Sequence, residues 1–62
     1  MTIRAEQLYR SMTTAQLQVL RAAFIMDGER ERNDPPSVAF IHGRLAIIER
    51  ILHERGALPP TS

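Results

Sequence analysis

The stretch Val38–Leu52, VAFIHGRLAIIERIL, carries two apolar lines at helical spacing. The first line has successive spacings of three, four, three and four residues and consists of Val38, Ile41, Leu45, Ile48 and Leu52. This a/d pattern is typical of a helix that lies along another helix. The second line, Phe40, Ile47 and Ile51, falls on a different face of the same helix. A helix with two apolar faces needs two partners, so the stretch predicts a hairpin within the chain and a second contact beyond it.

Length and composition favour oligomerisation. A chain of 62 residues has a marginal core, and the absence of cysteine excludes disulfides and thiolate metal sites. Eight basic residues, all of them arginine, stand against seven acidic residues and leave a net charge of +1. This balance predicts neither a nucleic-acid-binding tail nor an acidic solvating segment. Association with a second copy is the remaining route to stability.

The sequence gives no sign of a targeting or membrane segment. No apolar run approaches the roughly 18 residues of a membrane span. The first residues include Arg4, Glu6 and Arg10 and lack the apolar core of a signal peptide. We therefore expect a cytoplasmic protein, and the use of arginine without lysine is typical of a GC-rich bacterial or phage genome.

Residues 1–12 are predicted to form a short helix or arm ahead of the hairpin. One face of a helix over 2–11 would carry Ala5, Leu8, Tyr9 and Met12, with Thr2 as N-cap. Such a helix is too short to be stable alone, so it must dock. Two docking sites are open to it, the free end of the hairpin and the twin subunit.

The first long helix is predicted over 13–32. Thr13 and Gln16 fit a capping box at its start. One apolar face carries Leu17, Leu20, Ala23 and Phe24, and its flank carries Val19, Ala22 and Met26. Gly28 either ends the helix after Asp27 or lies inside it. We favour the longer helix because its length then matches that of the second arm.

The second long helix is predicted over 36–55. Asp34 as N-cap and Pro35 at the first helical position mark its start, and Gly56 marks its end. Gly43, inside this helix, is interpreted as a point of close helix–helix approach. Residues 57–62 are expected to form a loose tail.

These elements predict an all-α antiparallel helical hairpin, one domain over residues 1–62. The connection of two to six residues forces the two arms to lie antiparallel. Their register places the a/d line of the second arm on the first arm and leaves the second apolar line uncovered. The expected interface is Val19, Met26, Phe40, Ile47 and Ile51. A two-fold homodimer forming a four-helix bundle would bury it, and a different partner protein is the alternative.

The sequence predicts no catalytic, cofactor or metal site. His42, Glu49 and His53 share an arc of the second arm at spacings of seven and four. Seven residues span roughly 10 Å, which is too far for His42 and Glu49 to share one ion. A polar face with a Glu–His ion pair is the simpler interpretation. There is no thiol nucleophile and no glycine-rich phosphate loop, so we do not expect an enzyme.

The predicted function is that of a small homodimer acting by protein–protein interaction, as an adaptor, inhibitor or regulator of a partner protein. A nucleic-acid-binding regulator of the same architecture is one alternative, with phosphate contacts from Arg30, Arg32, Arg44 and Arg55. Acidic residues are interleaved with Arg30 and Arg32, and no aromatic residues accompany them, which weakens this reading. A structural subunit of a larger phage or bacterial assembly is the other alternative.

Overall fold

Three α-helices make up the described part of the chain. The computed structural model describes the backbone of residues 2–57 and the side chains of residues 4–57. The helices are α1 (Thr2–Arg10), α2 (Thr14–Arg30) and α3 (Pro35–Glu54), and no strand occurs between residues 2 and 57. The all-α prediction is confirmed. Residues 57–62 are predicted to form a loose tail, and of these only Ala57 lies within the described residues. Ala57 packs against the core.

The predicted capping box starts α2. The Gln16 backbone N–H donates to Thr13 Oγ1 at 3.1 Å, and the Thr13 N–H donates to Gln16 Oε1 at 2.9 Å. Gly28 lies inside α2, which continues to Arg30, so the longer helix is the one formed. A Cβ added at Gly28 would lie 3.7 Å from Ile41 Cγ2, so this glycine faces α3 at ordinary contact distance.

The ends of α3 follow the predicted residues with one difference. Asp34 is the N-cap and Pro35 the first helical residue, but the Asp34 carboxylate accepts no backbone N–H and instead accepts the Ser37 hydroxyl at 2.6 Å. At the other end Gly56 has φ +69°, a left-handed conformation that favours glycine. Its N–H donates to the His53 carbonyl and the next N–H donates to the Leu52 carbonyl, which is the Schellman arrangement.

The two long helices form the predicted antiparallel hairpin. Gly28 of α2 lies against Ile41 near the turn, as described above. Halfway along, Arg21 Nε donates to Glu49 Oε2 at 2.9 Å. At the open end, Arg55 Nη1 donates to Thr14 Oγ1 at 3.1 Å. Residue numbers rise along one arm as they fall along the other, which is the register predicted from the a/d line.

The short helix α1 covers part of the second apolar line. Its Ala5 and Tyr9 are buried in one cluster with Ile47 and Ile51, which are only 5% and 1% exposed. The prediction that Ile47 and Ile51 are left for a second chain to cover is therefore wrong. The physical reason is that α1 docks on its own hairpin, so these two side chains are core residues and offer nothing to a second chain in this structure.

The length of α1 explains what remains exposed. Nine residues make a helix roughly 14 Å long, whereas the 20 residues of α3 extend roughly 30 Å. Phe40, near the turn, lies beyond the reach of α1 and stays 56% exposed. Leu8, predicted to share the docking face of α1, instead points away from the core and is 60% exposed.

Gly43 does not mark a close approach of the helices. A Cβ added there would meet no atom within 4 Å, so Gly43 lies on the outer side of α3. The glycine that faces the other arm is Gly28.

None of the helices within residues 2–57 combines the length and the apolar character needed to span a membrane.

Candidate interaction surface

The side of α2 that faces away from α3 carries a second heptad-like line. Its members have spacings of four, three and four residues and are Ala15, Val19, Ala22 and Met26. We call these four residues the outer seam. At 3.6 residues per turn they lie roughly opposite Leu17, the fully buried residue of α2. All four are exposed, with Val19 at 71% and Met26 at 63%.

From Ala15 to Met26, the face of α2 that carries the outer seam has no charged side chain. Between residues 11 and 26 the sequence has a single charged residue, Arg21. Its guanidinium points away from the seam and binds Glu49 of α3. Charges return only at the turn end, where Asp27 and Arg30 form an ion pair at 3.6 Å. An exposed helix face of this length without charge is unusual for a surface that stays in water.

A shallow apolar groove runs beside the outer seam, on the side nearer α1. Its volume is about 460 Å³, and it is lined by Met12, Ala15, Gln16, Val19, Leu20 and Ala23. Gln16 is the only polar residue among them, and its side-chain oxygen is already bound to the backbone of Thr13. Ala15 and Val19 belong both to the groove and to the outer seam. The groove and the seam therefore form one continuous apolar surface.

Of the five interface residues predicted from sequence, three are available to a partner. Val19, Met26 and Phe40 are exposed, whereas Ile47 and Ile51 are buried under α1. Phe40 is also engaged on one face, since the Arg44 guanidinium carbon lies 4.8 Å from the centre of its ring. This is cation–π distance, so part of the Phe40 surface is covered by its own helix.

Ala15 contributes to this surface but lies outside the apolar faces predicted from sequence. Its spacing of four residues from Val19 continues the outer seam toward the start of α2, and that spacing is the signal that identifies it. Met12 is predicted to share the docking face of α1. It packs partly against the core and partly lines the groove.

The four arginines considered for phosphate contact do not form one surface. Arg30 and Arg32 lie at the turn end of the hairpin, whereas Arg55 lies at the open end and donates to Thr14 and to the carbonyls of Arg10 and Met12. Arg44 is stacked on Phe40 near the middle of α3. The structure gives this set no common stripe of the kind that tracks a nucleic-acid backbone.

The His/Glu arc on α3 also differs from its prediction in one respect. Glu49 is paired with Arg21 across the hairpin and not with a histidine. His42 and His53 are exposed. Within the described residues no three His, Cys, Asp or Glu side chains lie close enough together to hold a metal ion.

Electrostatic contacts fasten α1 to the end of α3. Arg10 binds Glu6 on its own helix at 2.8 Å and Glu54 at the end of α3 at 2.9 Å. The hydrogen bond from Arg10 holds the pKa of the Glu54 carboxyl below its usual range, and the hydrogen bond to Glu54 raises the pKa of Arg10. Both groups therefore keep their charge at neutral pH.

Comparison with known proteins gives no match of this chain to a family model, to a curated protein or to a solved structure. The assignment of a function therefore rests on the chemistry of its own residues.

Proposed function

We propose that this chain is a small, non-enzymatic cytoplasmic protein that forms a homodimer through the outer face of α2. The dimer brings four long helices together and acts by binding, occluding or bridging a partner protein. The observation that carries the proposal is the exposed, uncharged apolar surface made by the outer seam and the adjoining groove. A second copy of the chain is the occupant that we assign to it.

The composition of the surface supports a second copy over a charged partner. The centres of homodimer interfaces are depleted in charge and rich in apolar area. A partner that brought charges to this surface would lose their hydration and find no side chain of opposite sign to pair with. A second copy brings the same uncharged face, so that neither side leaves a charge unpaired.

A dimer interface of standard size would take a substantial share of the surface of this small molecule. A standard protein interface takes about 800 Å² from each partner, which is about one sixth of the 4709 Å² accessible surface of this structure. The outer seam is a narrow stripe, and the groove, which shares Ala15 and Val19 with it, widens the apolar surface. An interface of that size would have to extend from the outer seam across the residues of the groove.

Sedimentation equilibrium over a wide range of protein concentrations tests the proposal. The wild-type chain should approach twice the monomer mass of 7.0 kDa as concentration rises. Val19→Glu should shift the chain to the monomer, because a carboxylate would be placed in an interface without a positive partner. The matched control is Ala46→Glu, which adds the same charge at an exposed position on α3 and should leave the dimer intact.

Circular dichroism separates loss of association from loss of fold. Val19 is 71% exposed, so Val19→Glu should keep its helical signal in the monomer. A wild-type chain that unfolds cooperatively yet shows the monomer mass at every concentration would overturn the proposal. Equal dimerisation of Val19→Glu and Ala46→Glu would show that the outer face of α2 is not the interface.

A further inference from the structure

We infer that the two copies meet with their α2 helices antiparallel, around a two-fold axis that passes between Leu20 and Arg21. This inference rests on the proposed homodimer and adds its geometry. An axis at that point places residue pairs opposite each other when their numbers add to 41, so Ala15 faces Met26 of the second copy and Val19 faces its Ala22. Each pair occurs twice, as a two-fold interface requires.

The order of small and large side chains along the outer seam favours this arrangement. In the antiparallel pairing every alanine of the seam faces a larger side chain, so that the two surfaces interlock. In a parallel pairing Ala15 would face Ala15 of the second copy and Met26 would face its Met26. Small against small leaves a gap and large against large forces the helices apart, and native packing tolerates neither well.

The apolar groove gives the antiparallel pairing a specific contact. Ala15 lies in the wall of the groove, together with Met12 and Val19. Met26 of the second copy, which faces Ala15 in this pairing, is therefore positioned over the groove. Methionine is flexible and fills irregular apolar gaps well. The groove on each chain thus receives one Met26, a residue that is 63% exposed in the single chain.

The backbone adds to the preference for antiparallel packing. α2 has 17 residues and is roughly 25 Å long, with partial positive charge at its start and partial negative charge at its end. Antiparallel neighbours place the start of each α2 beside the end of the other. Because the seam has no side-chain charges of its own, no ionic contact along it opposes this orientation.

Disulfide trapping tests the geometry, since the natural chain has no cysteine. Two single variants are prepared, Ala15→Cys and Met26→Cys, and each is oxidised alone and in an equal mixture. The mixture should form a covalent dimer that joins position 15 of one copy to position 26 of the other, and mass spectrometry of the digested dimer identifies this link. Ala46→Cys, at an exposed position on α3, is the control for random cross-linking. Each variant alone should give no more covalent dimer than this control. In the antiparallel pairing the two copies of residue 15 lie roughly 16 Å apart along the helix axis, whereas a disulfide needs Cβ atoms about 4 Å apart.

A second pair of variants tests the same pairing at another point of the interface, in case a cysteine at position 15 or 26 distorts the helix locally. Val19→Cys mixed with Ala22→Cys should also give the mixed disulfide, because these positions face each other near the two-fold axis. Circular dichroism and sedimentation of the reduced variants show whether each one still folds and associates.

The outcomes distinguish this inference from the proposal beneath it. Covalent dimers of Ala15→Cys alone and of Met26→Cys alone would indicate parallel α2 helices, and would overturn the inference while the homodimer stood. Absence of every cross-link from chains that still sediment as dimers would place the interface elsewhere. A monomer mass for the wild-type chain would overturn both.

Discussion

Arg10 Nη1 lies 2.9 Å from Glu54 Oε1 and so joins the last residue of α1 to the last residue of α3. The backbone carbonyl of Arg10 also accepts a hydrogen bond from Arg55 Nη2 at 3.0 Å. A nine-residue helix is not stable by itself, so α1 depends on contacts of this kind and on the burial of its apolar face. These contacts keep Ile47 and Ile51 covered, and they decide which apolar surface the chain presents to a partner.

Acid should loosen α1. The pKa of Glu54 is lowered in the folded chain, chiefly by the hydrogen bond from Arg10. A carboxyl whose pKa is lowered on folding contributes stability that is present above its unfolded pKa and is lost as pH falls through the lowered folded value. We therefore expect α1 to stay docked at neutral pH and to loosen below about pH 4. Tyr9 is the only tyrosine in a chain without tryptophan, so its fluorescence reports the docking.

Glu54→Gln isolates this contribution. The variant should already have a weakened α1 at pH 7 and should lose part of the acid response of the wild type. Glu29→Gln removes an exposed carboxylate from α2 and is the matched control, with an expected acid profile like that of the wild type. Identical Tyr9 fluorescence profiles for Glu54→Gln and the wild type would contradict a role for the Arg10–Glu54 pair.

Truncation of Tyr9 should release α1 from the hairpin. Tyr9 is 6% exposed and belongs to the same cluster as Ile47 and Ile51. Removing a buried aromatic ring costs about 3–5 kcal/mol, whereas a chain of 62 residues has a total stability of only about 3–9 kcal/mol. Urea unfolding of Tyr9→Ala should show this loss, and an apolar dye should bind the uncovered isoleucines. Gln7→Ala, on the exposed side of α1, should change the midpoint little; equal effects of the two changes would mean that α1 is not docked as described.

The three glycines should respond differently to alanine. Gly43 is helical with open space around it, and a Cβ at Gly28 would be in ordinary contact with Ile41, so alanine should stabilise both positions by up to about 1 kcal/mol. Gly56 has φ +69°, where a Cβ is strained, and alanine there should destabilise by about 1–2 kcal/mol. Chemical unfolding of the three variants measures these signs. A loss of stability in Gly28→Ala would show that α2 and α3 lie closer together at this point than the 3.7 Å between a Cβ at Gly28 and Ile41 Cγ2 indicates.

The sequence was sufficient for the hairpin because its signals are local. The capping box at Thr13, the proline after Asp34 and the left-handed Gly56 each act within a few residues, and the a/d line of α3 has enough turns to define a face. The docking of α1 was not predictable in the same way. Ala5 and Tyr9 span a single turn, which does not reveal whether they dock on their own hairpin or on a second chain.

The same limit applied to the candidate site. Periodicity identifies three apolar residues that the hairpin does not bury, namely Val19, Met26 and Phe40. Whether they share one exposed surface with Ile47 and Ile51 depends on where α1 lies, which periodicity does not show. Once α1 occupies that surface, the exposed remainder is centred on α2 and not on α3. Side-chain periodicity identifies a face of a helix, whereas which element covers that face depends on tertiary contacts.

Arg55→Lys should weaken the junction where α1 passes into α2. Arg55 Nη1 donates to the Met12 carbonyl at 3.0 Å and to Thr14 Oγ1, and Nη2 reaches the Arg10 carbonyl. These carbonyls lie at the end of α1, where backbone oxygens lack helical donors and where a cation is favourable. Lysine keeps the charge but lacks the planar fork that serves several acceptors at once, so the loss should be about 1 kcal/mol, or a midpoint about 4–8 °C lower in thermal unfolding. Arg50→Lys makes the same exchange at an exposed position on α3, and an equal effect of the two variants would show that the fork of Arg55 contributes nothing beyond its charge.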